Sequence, residues 1–507
     1  MMPRRFIGFF ALGRHKIDGR SWRSTCTDIR PEIQGILQHA LPSPASYCAV
    51  SSSKPRAGNM RLLARSIHVM TDLFNLARPL PEGKRPSPWK PPRPSPMTRR
   101  ALLIQLARLG DLVQTIPVIM ALKEAHADWI LDLLCPGHLE DLGRILPGIS
   151  TVGRWDGTVW NRRARQAEKE FRPEYVVEAD TDIRAITQEP YDYAYVLNQH
   201  PRAILAGALL AQESIGAMTG RPLDPTLSPW GAYVRAVAKD RSENRIHLAD
   251  AFCGMCGVSP PKHIMPIPMS SVQLPNDLDP IGQSCGPWIG VLVGAGDPER
   301  LVPAMAWTRL IAGCLEQLQG SRVLLLGSRQ EQERASWILA SLPSSLVGRV
   351  WDTTGRLSLT ELAQALTRCQ VVIGADTGPL HLAAAVGTKV IGWYFARARV
   401  HETGPYGQSH WIWQAEAVKR EALHLKLERE DLRRMEFLDT LHVSPVQWPI
   451  EETIALLSDG SAASVDGWSL WTSHRDRWGA YYVEAGQAPV APLQREHIWN
   501  ELHPTAV

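Results

Sequence analysis

The 507-residue sequence has few of the features that mark membrane, nucleic-acid-binding or secreted proteins. No stretch reaches the roughly 18 to 20 apolar residues that a membrane-spanning helix needs. The formal net charge is only +4, whereas nucleic-acid binders usually carry a denser basic surface. Eight cysteines are too thinly spread for a disulfide scaffold. We therefore expect a soluble cytoplasmic protein without a nucleic-acid partner.

Repeats and a secretory signal are also missing from the sequence. No period of roughly 20 to 50 residues stands out, which excludes a solenoid. The start, MMPRRFIGFFALG, places basic residues before a short apolar stretch. His15, Lys16 and Asp18 follow without a convincing cleavage site, so this start is not typical of a signal peptide.

Length and composition indicate more than one folded domain. A hydrophobic content of 44% and a charged content of 21% are ordinary for globular proteins, and single cores stop growing at roughly 250 to 300 residues. We predict that residues 1–97 form a disordered extension rich in Pro and Arg. Two Rossmann-like domains follow at 98–285 and 286–415. Residues 416–507 are interpreted as a charged helical segment, a return helix at 444–457 and an aromatic-containing tail.

Apolar runs alternate with amphipathic stretches in both halves, which favours an α/β fold. In the first half we predict a strand at 101–106, a helix at 112–126, strands at 129–135, 175–179 and 193–198, and a helix at 203–213. In the second half we predict a strand that runs into a Gly-containing loop within 287–296, strands at 321–328 and 371–375, and helices at 307–318, from near 331 and at 358–369. Two such domains facing each other would form a central cleft.

The segment VVIGADTGPLHLAAAVG (371–387) is typical of a phosphate-binding turn. Asp376, Thr377 and Gly378 follow a buried strand and open a helix, whose free amides and positive dipole end suit a diphosphate. Gly378 would let an oxygen approach the backbone, and His381 could donate to a phosphate or sugar oxygen. The alternative is that Asp376 or Thr377 is only a helix cap.

The loop RLGD (108–111) is a similar strand-to-helix junction in the first half. Gly110 would permit the tight turn after the strand, and Asp111 would lie at the opening of the next helix, facing the same cleft. Asp111 is a helix cap or a general base for an acceptor hydroxyl. We expect the helix N-terminus to lower the pKa of Asp111, which would keep it ionised but weaken it as a base.

Three blocks resemble glycosyltransferase family nine, which includes the lipopolysaccharide heptosyltransferases. ARLGDLVQTIPVIMALK is similar to the opening loop and helix of that family. GADTGPLHLAAAVGT is similar to its donor-phosphate motif, and GPYG (404–407) to a short turn beyond it. The blocks occur in the family's order over residues 99–457.

The resemblance implies a GT-B fold, with acceptor bound by the first domain and donor mainly by the second. It also implies an inverting transferase that needs no metal or other cofactor. Asp111 then occupies the position of the proposed catalytic base. Asp376, Thr377 and Gly378 fall where the family holds the diphosphate and donor sugar, and Glu331 matches a residue that contacts the nucleoside ribose.

One loop departs from the family pattern. Heptosyltransferases usually place Thr and Lys after the first strand of the second domain, but here the loop reads GAGDPERLVPAMAW. Gly296 stands near the Thr position and Arg300 at the Lys position. Arginine can bind phosphate with two hydrogen bonds, but it is not equivalent to lysine as a point charge.

The stretch WNRRARQAEKEFR (160–172) aligns with a basic acceptor-side region of the family, and Arg162 and Arg163 are its candidate acceptor contacts. A solvated helix is the alternative.

We expect transfer of a sugar, heptose from ADP-heptose, to a lipopolysaccharide core or related glycan or glycolipid acceptor. Peripheral contact with the inner face of the cytoplasmic membrane is left open. The alternatives are a family member that uses another nucleotide sugar for an O-chain, capsule or protein glycan, and a catalytically silent sugar-nucleotide binder. A nicotinamide-dependent enzyme is disfavoured because no G-x-G-x-x-G follows the first strand.

Overall fold

A computed structural model describes residues 99–155, 157, 185–187, 189–221, 224–238, 241, 244–275, 287–416, 447–487 and 493–502. Almost all of them belong to one of the two units into which the chain divides, Ser95–Trp155 with Pro190–Val507. The predicted extension, the predicted strand at 175–179 and most of the charged helical segment lie outside the described residues. The predicted domain boundaries stay predictions.

The first sheet has seven strands in the order β3-β2-β1-β4-β5-β6-β7. The strands are β1 (Arg100–Ile104), β2 (Ile130–Pro136), β3 (Val152–Trp155), β4 (Tyr191–Val196), β5 (Ala211–Gly216), β6 (Met218–Arg221) and β7 (Asp224–Leu227). Strands β1 to β5 pair in parallel, and β6 and β7 add an antiparallel edge. The helices are α1 (Leu109–Val113), α2 (Ile116–Ala125), α3 (Glu140–Arg144), α4 (Pro201–Leu210), α5 (Pro229–Val237) and α6 (Leu248–Met255).

The second sheet has eight strands in the order β10-β9-β8-β11-β12-β13-β14-β15. They are β8 (Trp288–Leu292), β9 (Arg322–Leu326), β10 (Val350–Asp352), β11 (Cys369–Ala375), β12 (Lys389–Tyr394), β13 (Trp411–Ala415), β14 (Trp468–Asp476) and β15 (Gly479–Glu484). The helices are α7 (Ala304–Gln317), α8 (Gln332–Ser341), α9 (Ser344–Val347), α10 (Leu359–Thr367), α11 (Gly378–Ala385), α12 (Val400–Thr403), α13 (Ile450–Ser458) and α14 (Leu493–Leu502).

In each sheet the order of the parallel strands reverses direction beside the first strand, β1 in one sheet and β8 in the other, as it does in Rossmann-like sheets. The prediction of two Rossmann-like sheets in a GT-B fold is therefore confirmed. One apolar cluster joins the two halves, since Leu103 and Ile119 belong to the same buried group as Leu380 and Val390. The end of the chain also returns to the first half, where Trp499 of α14 packs on Trp230 with ring centroids 4.6 Å apart.

Three predicted elements were wrong in detail. The single helix at 112–126 is two helices, because Pro117 lacks the amide hydrogen that would continue α1 into α2. The helix predicted at 203–213 ends at Leu210, and the following residues pair with β4 as a strand. The aromatic tail, for which no strand was predicted, forms the hairpin β14–β15, which extends the second sheet.

Among the described helices, none has the length and hydropathy to cross a bilayer.

Candidate active site

The loop before Asp111 is held by two amide side chains at the carboxyl ends of β1 and β4. Leu106 N donates to Asn198 Oδ1 at 2.5 Å, and Ala107 N donates to Gln105 Oε1 at 3.3 Å. Asn198 Nδ2 also donates to Gln105 Oε1. Because Gln105 is fully buried, the loop leaves the sheet along a fixed path into α1.

Asp111 is half-buried in the first turn of α1. Its Oδ2 accepts a hydrogen bond from Arg108 N at 3.2 Å, so one carboxylate oxygen caps the turn. Burial raises the pKa of Asp111, and the Arg108 amide and the charges of His381 and Arg108 only partly oppose this. The prediction of a lowered pKa was wrong, because loss of solvent outweighs the helix N-terminus. A raised pKa makes Asp111 a better base than expected.

Asp376 follows β11 and is bound on two sides. Arg300 Nη1 donates to Asp376 O at 2.9 Å and to Asp376 Oδ2 at 3.1 Å. His381 Nε2 lies 3.4 Å from Asp376 Oδ1. Burial alone would raise the pKa of Asp376, but the hydrogen bond and charge of His381, the charge of Arg300 and the nearby Tyr394 hydroxyl lower it. Asp376 therefore remains a carboxylate that fixes Arg300 and His381.

Thr377 and His381 each leave one buried polar atom free of protein partners within the described chain. Thr377 is the N-cap residue of α11, but its side chain makes no cap hydrogen bond. Thr377 Oγ1 and His381 Nδ1 lack partners, although the residues are only 7% and 5% exposed. Buried polar atoms normally have partners, so this geometry argues against a plain helix cap and suits a polar ligand.

Helices α1 and α11 approach each other through glycines. A Cβ added at Gly110 would lie 3.2 Å from His381 Cδ2, and one added at Gly378 would lie 2.9 Å from Leu109 Cβ. Asp111 and the turn at Asp376 therefore belong to one site. Two reasons given for these glycines were wrong: Gly110 lies within α1 without a positive φ, and Leu109 occupies the space next to Gly378.

Glu331 lies at the carboxyl edge of the second sheet. Its Oε2 accepts from both the amide and the hydroxyl of Ser328, each at 2.6 Å. Its side chain also covers Gly294, where an added Cβ would meet Glu331 Cγ at 2.3 Å. An added Cβ at Gly296 would meet nothing within 4 Å. The close packing in this loop is therefore at Gly294, and the position of Gly296 near the family's Thr stays a prediction.

Tyr394 is a site residue that sequence analysis missed. It ends β12, beside β11, and is fully buried. Its hydroxyl donates to Thr403 O at 3.1 Å and helps to lower the pKa of Asp376. Its place at the carboxyl end of a parallel strand next to the strand before Asp376 could have identified it. Arg162 and Arg163, the predicted acceptor contacts, lie outside the described residues and stay predictions.

Comparison with known proteins agrees with the resemblance seen in the sequence. The family described as "Glycosyltransferase family 9 (heptosyltransferase)" matches residues 183–428. That range contains the turn at Asp376 and the GPYG segment and begins after Asp111.

Two curated relatives are heptosyltransferases. Lipopolysaccharide heptosyltransferase 1 of Pseudomonas aeruginosa is 25% identical over 319 residues, which cover 61% of this chain and 82% of the relative. Lipooligosaccharide heptosyltransferase 2 of Haemophilus influenzae is 30% identical over 111 residues, which cover 21% of this chain and 31% of the relative. Among solved structures, a family 9 glycosyltransferase from Veillonella parvula is 16% identical with a TM-score of 0.49, covering 71% of this chain and 98% of its own.

Proposed function

We propose that this chain, a glycosyltransferase of family 9, uses ADP-heptose as its donor. It would transfer the heptose to a lipopolysaccharide core or a related surface glycan. We further propose that the reaction inverts the anomeric centre and needs no metal. The acceptor would be a glycan or glycolipid, and a lipid-linked acceptor would bring the cytoplasmic enzyme to the inner face of the cytoplasmic membrane.

The observation that carries this proposal is the approach of α1 to α11. His381 Cδ2 lies 3.2 Å from the Cβ position of Gly110, the residue before Asp111. A carboxylate with a raised pKa thus stands beside a helix N-terminus whose threonine hydroxyl has no protein partner in the described chain. A base next to an anion-binding turn is the arrangement that glycosyl transfer from a nucleotide diphosphate requires.

In the proposed reaction the acceptor hydroxyl oxygen attacks the anomeric carbon of the donor sugar. The new carbon–oxygen bond forms as the bond to the diphosphate oxygen breaks, and the diphosphate leaves with the electron pair. Asp111 accepts the proton of the hydroxyl. Arg300 and the amides that begin at Thr377 stabilise the charge that develops on the diphosphate.

Because Arg300 supplies a fixed cation at the turn, we propose that it takes the place of a metal ion in neutralising the diphosphate. Its Nη1 is bound to Asp376, which orients the rest of the guanidinium fork. Full transfer activity after exhaustive treatment with EDTA is the expected result. Activity that is lost in EDTA and restored by Mg²⁺ would contradict this part of the proposal.

The donor is tested first by binding. Purified protein is heated with ADP-heptose, ADP-glucose, UDP-glucose and UDP-N-acetylglucosamine, and the donor that binds raises Tm. Transfer to a glycan extract is then followed by mass spectrometry, and the anomeric configuration of the product by NMR. We expect ADP-heptose to raise Tm most and to yield an inverted product. A larger shift with a UDP-sugar favours the other nucleotide sugars, and binding without transfer favours a silent binder.

A further inference from the structure

The GPYG turn, Gly404–Gly407, is held by side chains from three separate parts of the chain. Three successive carbonyl oxygens at its start each accept a hydrogen bond from a different side chain. Tyr394 of β12 donates to Thr403 O at 3.1 Å, and Tyr482 of β15 donates to Pro405 O at 2.7 Å. His247, which precedes α6 in the first half of the chain, lies 2.7 Å from Gly404 O.

The tautomer of His247 follows from its second contact. Its Nδ1 accepts from Ala249 N at 3.2 Å, so Nε2 carries the hydrogen that is donated to Gly404 O. Burial lowers the pKa of His247 to about 4. The ring is therefore neutral near pH 7, and the bond to the turn does not depend on its charge.

A fourth bond joins the turn to α6 and to the tail hairpin. Tyr406 Oη donates to Asp250 Oδ1 at 2.6 Å, and Ala480 N donates to Asp250 Oδ2 at 2.8 Å. The carboxylate thus spans from the turn to the start of β15. Gly479 is required there, because its φ is +99° and an added Cβ would meet Asp250 Cγ at 2.1 Å.

The same turn is connected to the candidate active site. Tyr394, which binds Thr403 O, also lowers the pKa of Asp376. The charge of His381 contributes to the lowered pKa of His247. Just before the turn, Glu402 pairs with Arg241 of the first half across 3.4 Å. Contacts between the two halves of the chain therefore converge next to Asp376.

We propose that the GPYG turn is a joint between the two sheets. It holds them in the arrangement that places Asp111 opposite the turn at Asp376. His247, Asp250, Tyr406 and Tyr482 are its positioning residues, and the tail hairpin β14–β15 is part of the joint. None of these four residues is assigned a contact with substrate. The proposal rests on the proposed function only in taking Asp111 and Asp376 as one active site.

The joint can be tested without any substrate. Loosening of the joint is read from hydrogen–deuterium exchange at the backbone amides of α1 and α11, the two helices that meet at Leu109 and Gly378. Exchange rates of peptides from both helices are measured by mass spectrometry, with the unmodified protein as the parent. Tyr406→Phe and Tyr482→Phe, each added separately, remove one hydroxyl from the joint.

Tyr191→Phe is the matched control, because Tyr191 Oη donates to the buried carboxylate of Asp132 at 3.0 Å away from the joint. We expect each joint variant to speed exchange in α1 and α11 about fivefold, the increase in the open population that loss of one hydrogen bond of ordinary net strength gives. Tyr191→Phe should leave the rate unchanged. Equal exchange rates in the joint variants and the parent would overturn the proposal, as would an equal increase with Tyr191→Phe. Faster exchange in the joint variants of a parent protein that transfers no sugar would refute the proposed function alone.

Discussion

The junctions that carry Asp111 and Asp376 are alike in local structure but opposite in electrostatics. Each aspartate follows a parallel strand and lies at the start of a helix. Burial raises the pKa of Asp111, because its partners only partly offset the loss of solvent. The pKa of Asp376 is lowered despite burial, because His381, Arg300 and Tyr394 surround it. One local motif therefore carries a carboxyl group with a raised pKa in the first half and one with a lowered pKa in the second.

The largest effect should come from Asp111→Asn, which keeps the shape of the side chain but removes the base. We expect turnover to fall about 10² to 10⁴-fold, the usual contribution of general base catalysis. Calorimetry should show unchanged affinity for ADP, since the donor side of the site is intact. Asp141→Asn serves as the control, because this side chain is 79% exposed on α3. Near-normal turnover in Asp111→Asn would contradict the assigned role.

The next largest effect should come from Asp376→Asn. Loss of the carboxylate charge releases Arg300 and His381, which should weaken ADP binding and cost about 1–3 kcal/mol of stability. Asp132→Asn is the matched control, because Asp132 pairs with Arg100 at the same 3.1 Å. Both variants should lower Tm, but only Asp376→Asn should weaken ADP binding. Equal ADP affinity in the two variants would remove Asp376 from the donor site.

A smaller effect is expected where the two helices meet. Gly378→Ala places a methyl group 2.9 Å from Leu109 Cβ, whereas Gly296→Ala meets nothing within 4 Å. Overpacking of this kind costs about 1–3 kcal/mol, so the first variant should reduce kcat severalfold and the second should not. The measurement is kcat of the Gly378→Ala and Gly296→Ala variants by steady-state kinetics. Identical kcat values would show that the approach of α1 to α11 is not needed for turnover.

The smallest effect concerns pH. Asp111 must be ionised to accept a proton, and its pKa is raised, so kcat/KM should fall on the acid side at a higher pH than for an ordinary aspartate. The charge of Arg108 lowers the pKa of Asp111. Arg108→Gln should therefore move the acid limb further upward. An acid limb that moves downward in this variant would mean that another group controls the profile.

Local patterns in the sequence predicted the fold and selected most of the candidate site residues. The alternation of apolar runs and amphipathic stretches indicated both sheets, and the order of RLGD, DTG and GPYG indicated the family. Asp111, Asp376, Thr377 and His381 could be selected because each lies at or near the start of a helix that follows a strand. These features depend on residues close together in the chain.

The parts that the sequence did not predict depend on contacts between distant segments. The pKa of Asp111 depends on burial by elements far along the chain, and Gly378 is needed because of Leu109. Tyr394 and Asp250 were missed because their partners, Thr403 and Tyr406, are identified only by the tertiary structure. The tail hairpin was missed because its pairing with β13 joins segments more than 50 residues apart.

A crystal structure with a non-transferable nucleotide diphosphate sugar bound would test the central claim most directly. The account predicts that the diphosphate lies against the amides at Thr377 and Gly378 and contacts Arg300, with the anomeric carbon facing Asp111. A diphosphate bound away from the N-terminus of α11, or an anomeric carbon that Asp111 cannot reach through an acceptor hydroxyl, would contradict it.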